Sequence, residues 1–158
     1  LALAGCDKAE VPTVAPIGQP PEPSQAQPKL QTMKLWLGAE ELEVELALNW
    51  QQQQTGMMFR TNMAENAGML FVFPAPHRAA FWMKNTFVPL SAAYIDSEGV
   101  ILEIHDLQPH NTTPVSASSD QVQYVLETNQ GWFKRHGIGP GTVLRTSQGS
   151  LRETFFRR

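Results

Sequence analysis

The sequence predicts a mainly β (α+β) domain: an antiparallel sheet folded as a sandwich or an open barrel, with two or three short helices. Three observations predict this fold, namely many short segments with strand-like alternation, turn residues between them, and the absence of long helical patterns. The predicted globular domain covers residues 32–158. A Pro-rich linker at residues 7–31 precedes it, and residues 1–6 read as the end of a signal peptide.

The first predicted elements are a β-hairpin and a short helix. Residues 33–37 and 42–48 alternate between apolar and other side chains, with a Gly-Ala turn between them. The second of these strands carries three Glu residues on its other face, which is typical of a half-buried antiparallel strand. Asn49 is a good N-cap and Gly56 suits the position after a helix, so a helix is expected over residues 50–55.

The middle of the domain is predicted to hold three more strands and a hairpin turn. Residues 69–73 are apolar on both faces and end at Pro74, as in a buried central strand. The segment 81–88 is expected to be the next strand. Residues 92–95 and 100–104 flank an Asp-Ser-Glu-Gly sequence, whose composition is that of a hairpin turn.

The last third of the domain begins with a polar loop at residues 108–120, rich in Pro, Ser, Thr and Asn. Residues 122–127 are predicted to form a strand. A short helix over 130–136 should end at the following Gly, and a final strand is expected at 143–146.

The N-terminal residues give a predicted cellular address. Leu3-Ala4-Gly5-Cys6 resembles the lipobox of bacterial lipoproteins, in which the Cys sulfur carries a diacylglycerol. Because Cys6 is the only Cys, the domain has neither a disulfide nor a thiol nucleophile. We therefore expect a lipid-anchored protein of the cell envelope whose domain faces the periplasm or the exterior. Asp7, next to the lipidated residue, favours the inner membrane.

The linker at residues 7–31 holds six of the twelve prolines and cannot form a core. Such a segment would span about 25–30 Å as a coil and up to about 80 Å when extended. We interpret it as a spacer, and a docking site for a Pro-binding module is the alternative.

Composition and motifs narrow the classes of function. A net charge of -3 gives no electrostatic reason to expect nucleic acid as a partner. The sequence has no nucleophile elbow, no zinc-protease helix and no phosphate-binding Gly-rich loop. The four His residues lack the spacing of a zinc site, so neither a metal nor another cofactor is predicted.

Seven motifs of the domain occur in an order and spacing that resemble the uncharacterised family called domain of unknown function 192. The resemblance covers roughly residues 33–147, implies export for many members, and brings no established activity. The family usually has Asp where this chain has Ser91 and Thr142. The motifs are Gly56-Met57-Met58-Phe59-Arg60, Gly68-Met69-Leu70-Phe71-Val72-Phe73, Phe81-Trp82-Met83-Lys84-Asn85-Thr86, Pro89-Leu90, Ile95-Asp96 with Gly99, Tyr124-Val125-Leu126-Glu127, and Gly131-Trp132 to His136-Gly137-Ile138.

Polar residues set among these apolar motifs are the candidate site residues. One interpretation pairs Arg60 with Glu127 at the edge of the core, where loss of either partner would cost about 3–5 kcal/mol. In the other, Arg60 and Lys84 bind an anionic group that neighbouring polar side chains orient. The predicted ligand-binding residues are Arg60, Trp82, Lys84, Asn85, Thr86 and Glu127.

The leading hypothesis is a non-enzymatic envelope module that binds a small or polymeric ligand. One alternative is an envelope enzyme acting on cell-wall or polysaccharide material, which would need a titratable pair such as Glu127 and a His in one concave site. Another is a copper-binding protein that uses thioethers beside imidazoles such as His77, although Met also fills ordinary cores. The thioethers in question are Met57, Met58, Met63, Met69 and Met83.

Overall fold

The computed structural model describes residue 18 and residues 20–157, and this part of the chain holds ten strands and three short helices. The lipobox with Cys6, and Asp7 after it, lie outside the described residues. The elements are β1 (Thr32–Leu37), β2 (Glu40–Ala47), α1 (Trp50–Thr55), β3 (Ala67–His77), β4 (Ala80–Phe81), β5 (Leu90–Asp96), β6 (Ile101–Leu107), β7 (Val115–Ser116), β8 (Val122–Asn129), α2 (Trp132–Arg135), β9 (Leu144–Thr146), β10 (Gly149–Ser150) and α3 (Leu151–Phe155).

Eight strands form one sheet in the order β10-β9-β1-β2-β3-β8-β5-β6, and β4 pairs with β7 in a separate ribbon. Neighbours in the large sheet are antiparallel except β2 and β3, which are parallel because the chain crosses over through α1 between them. The two ends of the sheet approach each other, since Val100 bridges to Val143 and the Ile101 amide donates to the Thr142 carbonyl at 2.9 Å. The described strands stop short of a closed barrel. The predicted mainly β class is confirmed.

Each face of the sheet is covered by its own hydrophobic core, because successive side chains of a strand point to opposite faces. On β8, Leu126 belongs to the first core, which also contains Trp132 of α2 and Leu151 of α3. Val125 belongs to the second core, together with Tyr94 of β5. The second core, covered by the β4–β7 ribbon and the loops beside it, is the one that borders the candidate site.

The prediction of a strand over residues 81–88 is wrong beyond Phe81, where β4 ends. The chain turns instead, with the Thr86 amide donating to the Met83 carbonyl at 3.1 Å. Asn85 adopts a left-handed conformation with φ 52°, which Asn tolerates better than most residues. Its carbonyl accepts a hydrogen bond from the Phe59 amide at 2.8 Å, so a distant loop fixes this turn. Alternation of apolar residues alone could not reveal that partner.

The described end of the Pro-rich linker, residues 20–31, contacts the domain, and we call it the strap. Gln27 Nε2 donates to the carbonyls of Gln52 and Gly56 at 3.0 and 2.9 Å, at the C-terminal end of α1. The Leu30 amide donates to a carboxylate oxygen of Glu45 at 2.7 Å. The spacer interpretation therefore does not describe this part of the linker, which is bound along its length.

Gly68 on β3 lies where the backbone of β8 comes closest. A Cβ at this position would be 2.6 Å from the carbonyl oxygen of Glu127. Gly68→Ala is therefore expected to lower the free energy of unfolding by about 1–3 kcal/mol, as measured by chemical denaturation. Gly139→Ala is the control, because nothing lies within 4 Å of a Cβ there. Equal stability of the two variants would contradict this close approach.

The longest helix among residues 18 and 20–157 has six residues. None of the described helices is long and apolar enough to cross a membrane.

Candidate functional site

A cavity of about 250 Å³ opens between α1 and the β3 side of the second core. We call it the Glu127 pocket, because the side chain of Glu127 lines it from β8. Its walls come from α1 and the residues after it, from β3, and from the chain that follows β3 as far as Thr86. Residues 50–86 and the distant Glu127 of β8 therefore build one concave site.

Glu127 is a buried acid without a partner. Its side chain stands between Met69 of β3 and Ala92 of β5, the residues that pair with it across the sheet. The residue is 4% exposed, and among the described residues no hydrogen bond or ion pair involves its carboxyl group. Burial raises the pKa of Glu127 from its ordinary 4.5 to about 8. At neutral pH the empty pocket thus holds mainly a neutral carboxylic acid.

Tyr94 is the nearest other titratable group on the neighbouring strand β5. Its hydroxyl donates to the Val115 carbonyl of the β4–β7 ribbon, so its proton already has an acceptor. Burial raises the pKa of Tyr94, and the charges of Glu127 and Glu103 add to this effect. Tyr94 is therefore a neutral wall of the second core and not a partner for Glu127.

Five of the fifteen residues that line the pocket are Phe or Trp. The ring of Phe81 stands nearly perpendicular to that of Phe71, with centroids 4.9 Å apart, and it also contacts Phe73 at 6.4 Å. Trp50 and Trp82 remain 53% and 44% exposed at the pocket. Large aromatic side chains at a concave, solvent-open position are characteristic of binding sites.

Several polar groups of the wall already have partners within the protein. Gln53 Nε2 donates to the carbonyls of Ala47 and Val72 at 3.2 and 2.8 Å. The Thr86 hydroxyl donates to the Lys84 carbonyl at 3.1 Å. Among the described residues, the polar side chains of the wall without a hydrogen bond are Gln54, His77 and Glu127, and Glu127 is the most deeply buried of these three.

His77 lines the same pocket but lies far from Glu127. It pairs across the sheet with Val122, five residues before Glu127 on β8. At about 3.3 Å per residue these two positions are roughly 16 Å apart along the strand. The imidazole stacks edge-on against Phe73 with ring centroids 4.5 Å apart. The two titratable groups therefore mark opposite ends of the pocket.

The predicted ion pair between Arg60 and Glu127 is wrong, because Arg60 pairs with Glu45. Nη1 and Nη2 of Arg60 both contact the Glu45 carboxylate, and Nη2 lies 2.9 Å from Oε2. Glu45, Met69 and Glu127 are cross-strand partners on one face of β2, β3 and β8. Arg60 thus meets the carboxylate two strands away from Glu127, on the other side of Met69.

The pair of Arg60 and Glu45 is mostly buried, with side chains 16% and 14% exposed. Burial raises the pKa of Glu45, but hydrogen bonds from Arg60 and from the Leu30 amide outweigh that effect and hold its pKa below the usual range. Glu45 is therefore a carboxylate at neutral pH. It binds Arg60 within the domain and the Leu30 amide of the strap, and so it connects the strap to the domain.

Lys84 and Asn85 lie outside the Glu127 pocket. Lys84 Nζ forms an ion pair with Glu22 of the strap at 2.7 Å and lies 5.3 Å from the centroid of the Trp82 ring. Asn85 occupies the left-handed turn and lines a small neighbouring cleft with Glu22 and Pro23. Of the six predicted residues, the pocket brings together Trp82, Thr86 and Glu127.

Sequence reasoning missed the aromatic wall of the pocket. Phe71, Phe73 and Phe81 were expected as ordinary strand residues, and Trp50 as a helix residue. One signal was available for Trp50, which is followed by four Gln residues and so has no apolar neighbours on its own helix. An isolated Trp on a polar helix has no apolar neighbour there to cover its ring, and the Trp50 ring is indeed exposed.

The described residues contain no cluster of three or more His, Cys, Asp or Glu side chains that could hold a metal ion. Met57, Met69 and Met83 pack within the second core, where flexible thioethers fill space between Phe and Leu side chains. The thioethers of Met57 and Met58 also line the pocket.

The fold and the pocket define a small, mainly β domain with one aromatic cavity above a buried acid. The chain belongs to the family of domain of unknown function 192, described as an uncharacterized ACR, whose model matches residues 33–146. No curated protein matches the chain.

Two solved structures are similar to this chain. One is a candidate transcription regulator from Sinorhizobium meliloti 1021, 36% identical, covering 77% of this chain and 98% of its own, with a TM-score of 0.73. The other is a protein of unknown function from Novosphingobium aromaticivorans DSM 12444, 32% identical, covering 73% of this chain and 86% of its own, with a TM-score of 0.70.

Proposed function

We propose that this protein is a lipid-anchored binding module of the cell envelope, which holds a small ligand in the Glu127 pocket. The observation that carries the proposal is the pocket itself, an open aromatic cavity lined by Glu127, a residue that is 4% exposed and whose carboxyl group has no partner among the described residues. Natural cores leave few such groups unpaired, because burying one costs free energy. A ligand that contacts the carboxyl group would offset that cost.

Binding is favoured over catalysis because the two titratable groups of the pocket lie at opposite ends. The alternative envelope enzyme, acting on a polysaccharide, would need two groups about 5–10 Å apart across one bond. Glu127 and the strand position of His77 are separated by roughly 16 Å along β8. The geometry therefore suits contacts to two parts of one ligand.

The name of the Sinorhizobium meliloti protein raises the question of DNA as a partner. Non-specific attraction to DNA depends on clustered Lys and Arg side chains that neutralise phosphates. This chain carries 12 Lys and Arg against 15 Asp and Glu. Arg60, Lys84, Arg135 and Arg152 each form an ion pair with a Glu. We therefore propose a small-molecule ligand.

Three probes of one shape test the pocket: cyclohexanol, cyclohexylammonium and cyclohexanecarboxylate. Because the rings of Trp50 and Trp82 flank the pocket, intrinsic fluorescence should report binding of at least one probe. Trp82→Ala is expected to weaken that binding about tenfold or more, as for a central aromatic contact. Trp36→Ala is the matched control, since Trp36 lies on β1, outside the pocket. Absence of binding by all three probes, or equal binding by both variants, would refute the pocket.

The proposed anchor has its own test. Mass spectrometry of the membrane fraction should show a diacylglycerol-modified Cys6, and Cys6→Ser should release the protein into the soluble envelope fraction. Membrane association of the Cys6→Ser variant at the wild-type level would contradict the anchor without affecting the pocket.

A further inference from the structure

We infer that the ligand of the Glu127 pocket is a small organic cation, an alkylammonium group held among aromatic rings against the Glu127 carboxylate. This inference rests on the proposed function, and it adds the chemical class of the ligand. Three independent features of the pocket carry it: the sign of its charge, the aromatic wall, and the scarcity of free hydrogen-bonding groups.

The only acid in the pocket wall is Glu127, and no Lys or Arg among the described residues lines the pocket. α1 contributes Trp50, Gln53, Gln54 and Thr55, which carry no charge. Of the basic residues close in sequence to the pocket wall, Arg60 and Lys84 are paired with Glu45 and Glu22, and Arg78, which follows His77, is exposed. An incoming cation would therefore meet a carboxyl group that no cation of the protein already neutralises.

Aromatic faces attract cations, because the ring face carries partial negative charge. Within this structure the Trp82 ring already has a cation near it, the Lys84 ammonium at 5.3 Å from the centroid. The same ring lines the Glu127 pocket, and the rings of Phe73 and Phe81 lie further along the wall. A desolvated alkylammonium group would gain from these faces as well as from the carboxylate.

A neutral sugar or polyol fits the pocket less well. Each of its hydroxyl groups would need a partner, and a buried hydroxyl without one costs about 1–3 kcal/mol. The Gln53 amide and the Thr86 hydroxyl already donate to backbone carbonyls. A primary alkylammonium group has its three N–H donors at one end, where the oxygens of the Glu127 carboxylate can accept, while its alkyl part packs against the aromatic wall.

Binding of a cation must be coupled to loss of a proton. In the empty pocket burial raises the pKa of Glu127 to about 8, so below that pH the group is mainly neutral. An entering cation favours the carboxylate, and the carboxyl proton leaves to solvent, so one positive charge enters as another departs. Affinity should rise about tenfold per pH unit below pH 8 and level off above it. A neutral ligand that accepts a hydrogen bond from the acid would show the opposite trend.

The titratable groups that face Glu127 from the other strands have partners of their own. On the same face of the sheet, Glu45 of β2 lies beyond Met69 and pairs with Arg60, and His105 of β6 lies beyond Ala92 and contacts Glu103. Tyr94 on β5 is held neutral by burial, and its hydroxyl is bonded to the Val115 carbonyl. His77 on β3 lines the far end of the pocket, where its imidazole packs against Phe73. A His77→Gln variant therefore separates the contribution of His77 from that of Glu127.

Calorimetric titration with cyclohexylammonium and cyclohexanol between about pH 6 and pH 9 tests the inference, since an alkylammonium stays charged throughout that range. We expect the cation to bind at least tenfold more tightly than the alcohol above pH 8. Its affinity should follow the predicted pH trend, with about one proton released near neutral pH, as measured in buffers of different ionisation enthalpy. Glu127→Gln should abolish both the rise of affinity with pH and the preference for the cation over the alcohol. His77→Gln should retain both.

The two proposals fail in different ways. If cyclohexanol or cyclohexanecarboxylate binds best and Trp82→Ala still weakens it, the pocket is a binding site but its ligand is not a cation. If the slope persists in Glu127→Gln, the carboxyl group is not the recognition element and the inference is overturned. Proton release by the wild-type protein measures the coupling without relying on the folding of any variant.

Discussion

Glu127→Gln is expected to give a protein whose stability is nearly constant between about pH 5 and pH 8, a range in which the wild-type protein loses about 3–4 kcal/mol. The folded-state pKa of about 8 lies above the ordinary value of 4.5, so the folded state holds a proton that the unfolded chain has released. Stability is therefore fully present below about pH 4.5 and is lost progressively as the pH rises to about 8. Each unit of this shift corresponds to about 1.4 kcal/mol.

Urea denaturation at several pH values measures this difference, and the quantity to compare is the slope of the unfolding free energy against pH. Glu41→Gln provides the control, because Glu41 is exposed near the start of β2, in an ion pair with Lys34. That variant should keep the wild-type slope. Parallel curves for the wild-type protein and Glu127→Gln would show that the carboxyl group is well solvated in the pocket.

Arg60→Ala is expected to lower the free energy of unfolding by about 3 kcal/mol. The variant leaves Glu45 charged in a site where its side chain is only 14% exposed, and removal of one partner from such a pair is strongly destabilising. The residual hydrogen bond from the Leu30 amide cannot replace two guanidinium contacts. Chemical denaturation at pH 7 measures the loss.

Two further variants make the test of Arg60 specific. Arg152→Ala removes an ion pair with Glu98 whose side chains are 66% and 63% exposed, so the loss should stay below about 1 kcal/mol. The double variant Arg60→Met with Glu45→Leu should recover most of the stability, because it leaves no unpaired charge. A double variant as unstable as Arg60→Ala would mean that packing of the long side chain, and not its charge, is what matters.

Local patterns were sufficient for the hairpins and for α1. The alternating apolar residues of 33–37 and 42–48 predict strands, and β1 and β2 pair there as an antiparallel hairpin. The predicted N-cap Asn49 accepts a hydrogen bond from the Gln52 amide at 3.0 Å at the start of α1. These features depend on residues close in sequence, which a period of two or a capping preference describes fully. The third helix, α3, was not identified, although Ser150 and Glu153 form a capping box there.

Features that depend on strand order could not be predicted from local patterns. The sequence placed Arg60 and Glu127 at the edge of a core, but it could not indicate that β2 runs parallel to β3 and carries Glu45 to Arg60. The same limit applies to the turn at Asn85, which depends on a hydrogen bond from Phe59. Glu127 is a candidate from the sequence because an acid that ends an apolar stretch is unusual, and the structure places it in the wall of the pocket.

The strap reduces the greatest distance at which the pocket can lie from a membrane. Because Gln27 is bonded to the end of α1 and Glu22 to Lys84, the domain effectively begins near residue 20. Under the proposed anchor at Cys6, 14 residues would remain to bridge the gap, a contour of at most about 50 Å, against about 80 Å for the whole linker. The protein would then sample ligand from a thin layer of solvent next to the bilayer and not from the full depth of the envelope.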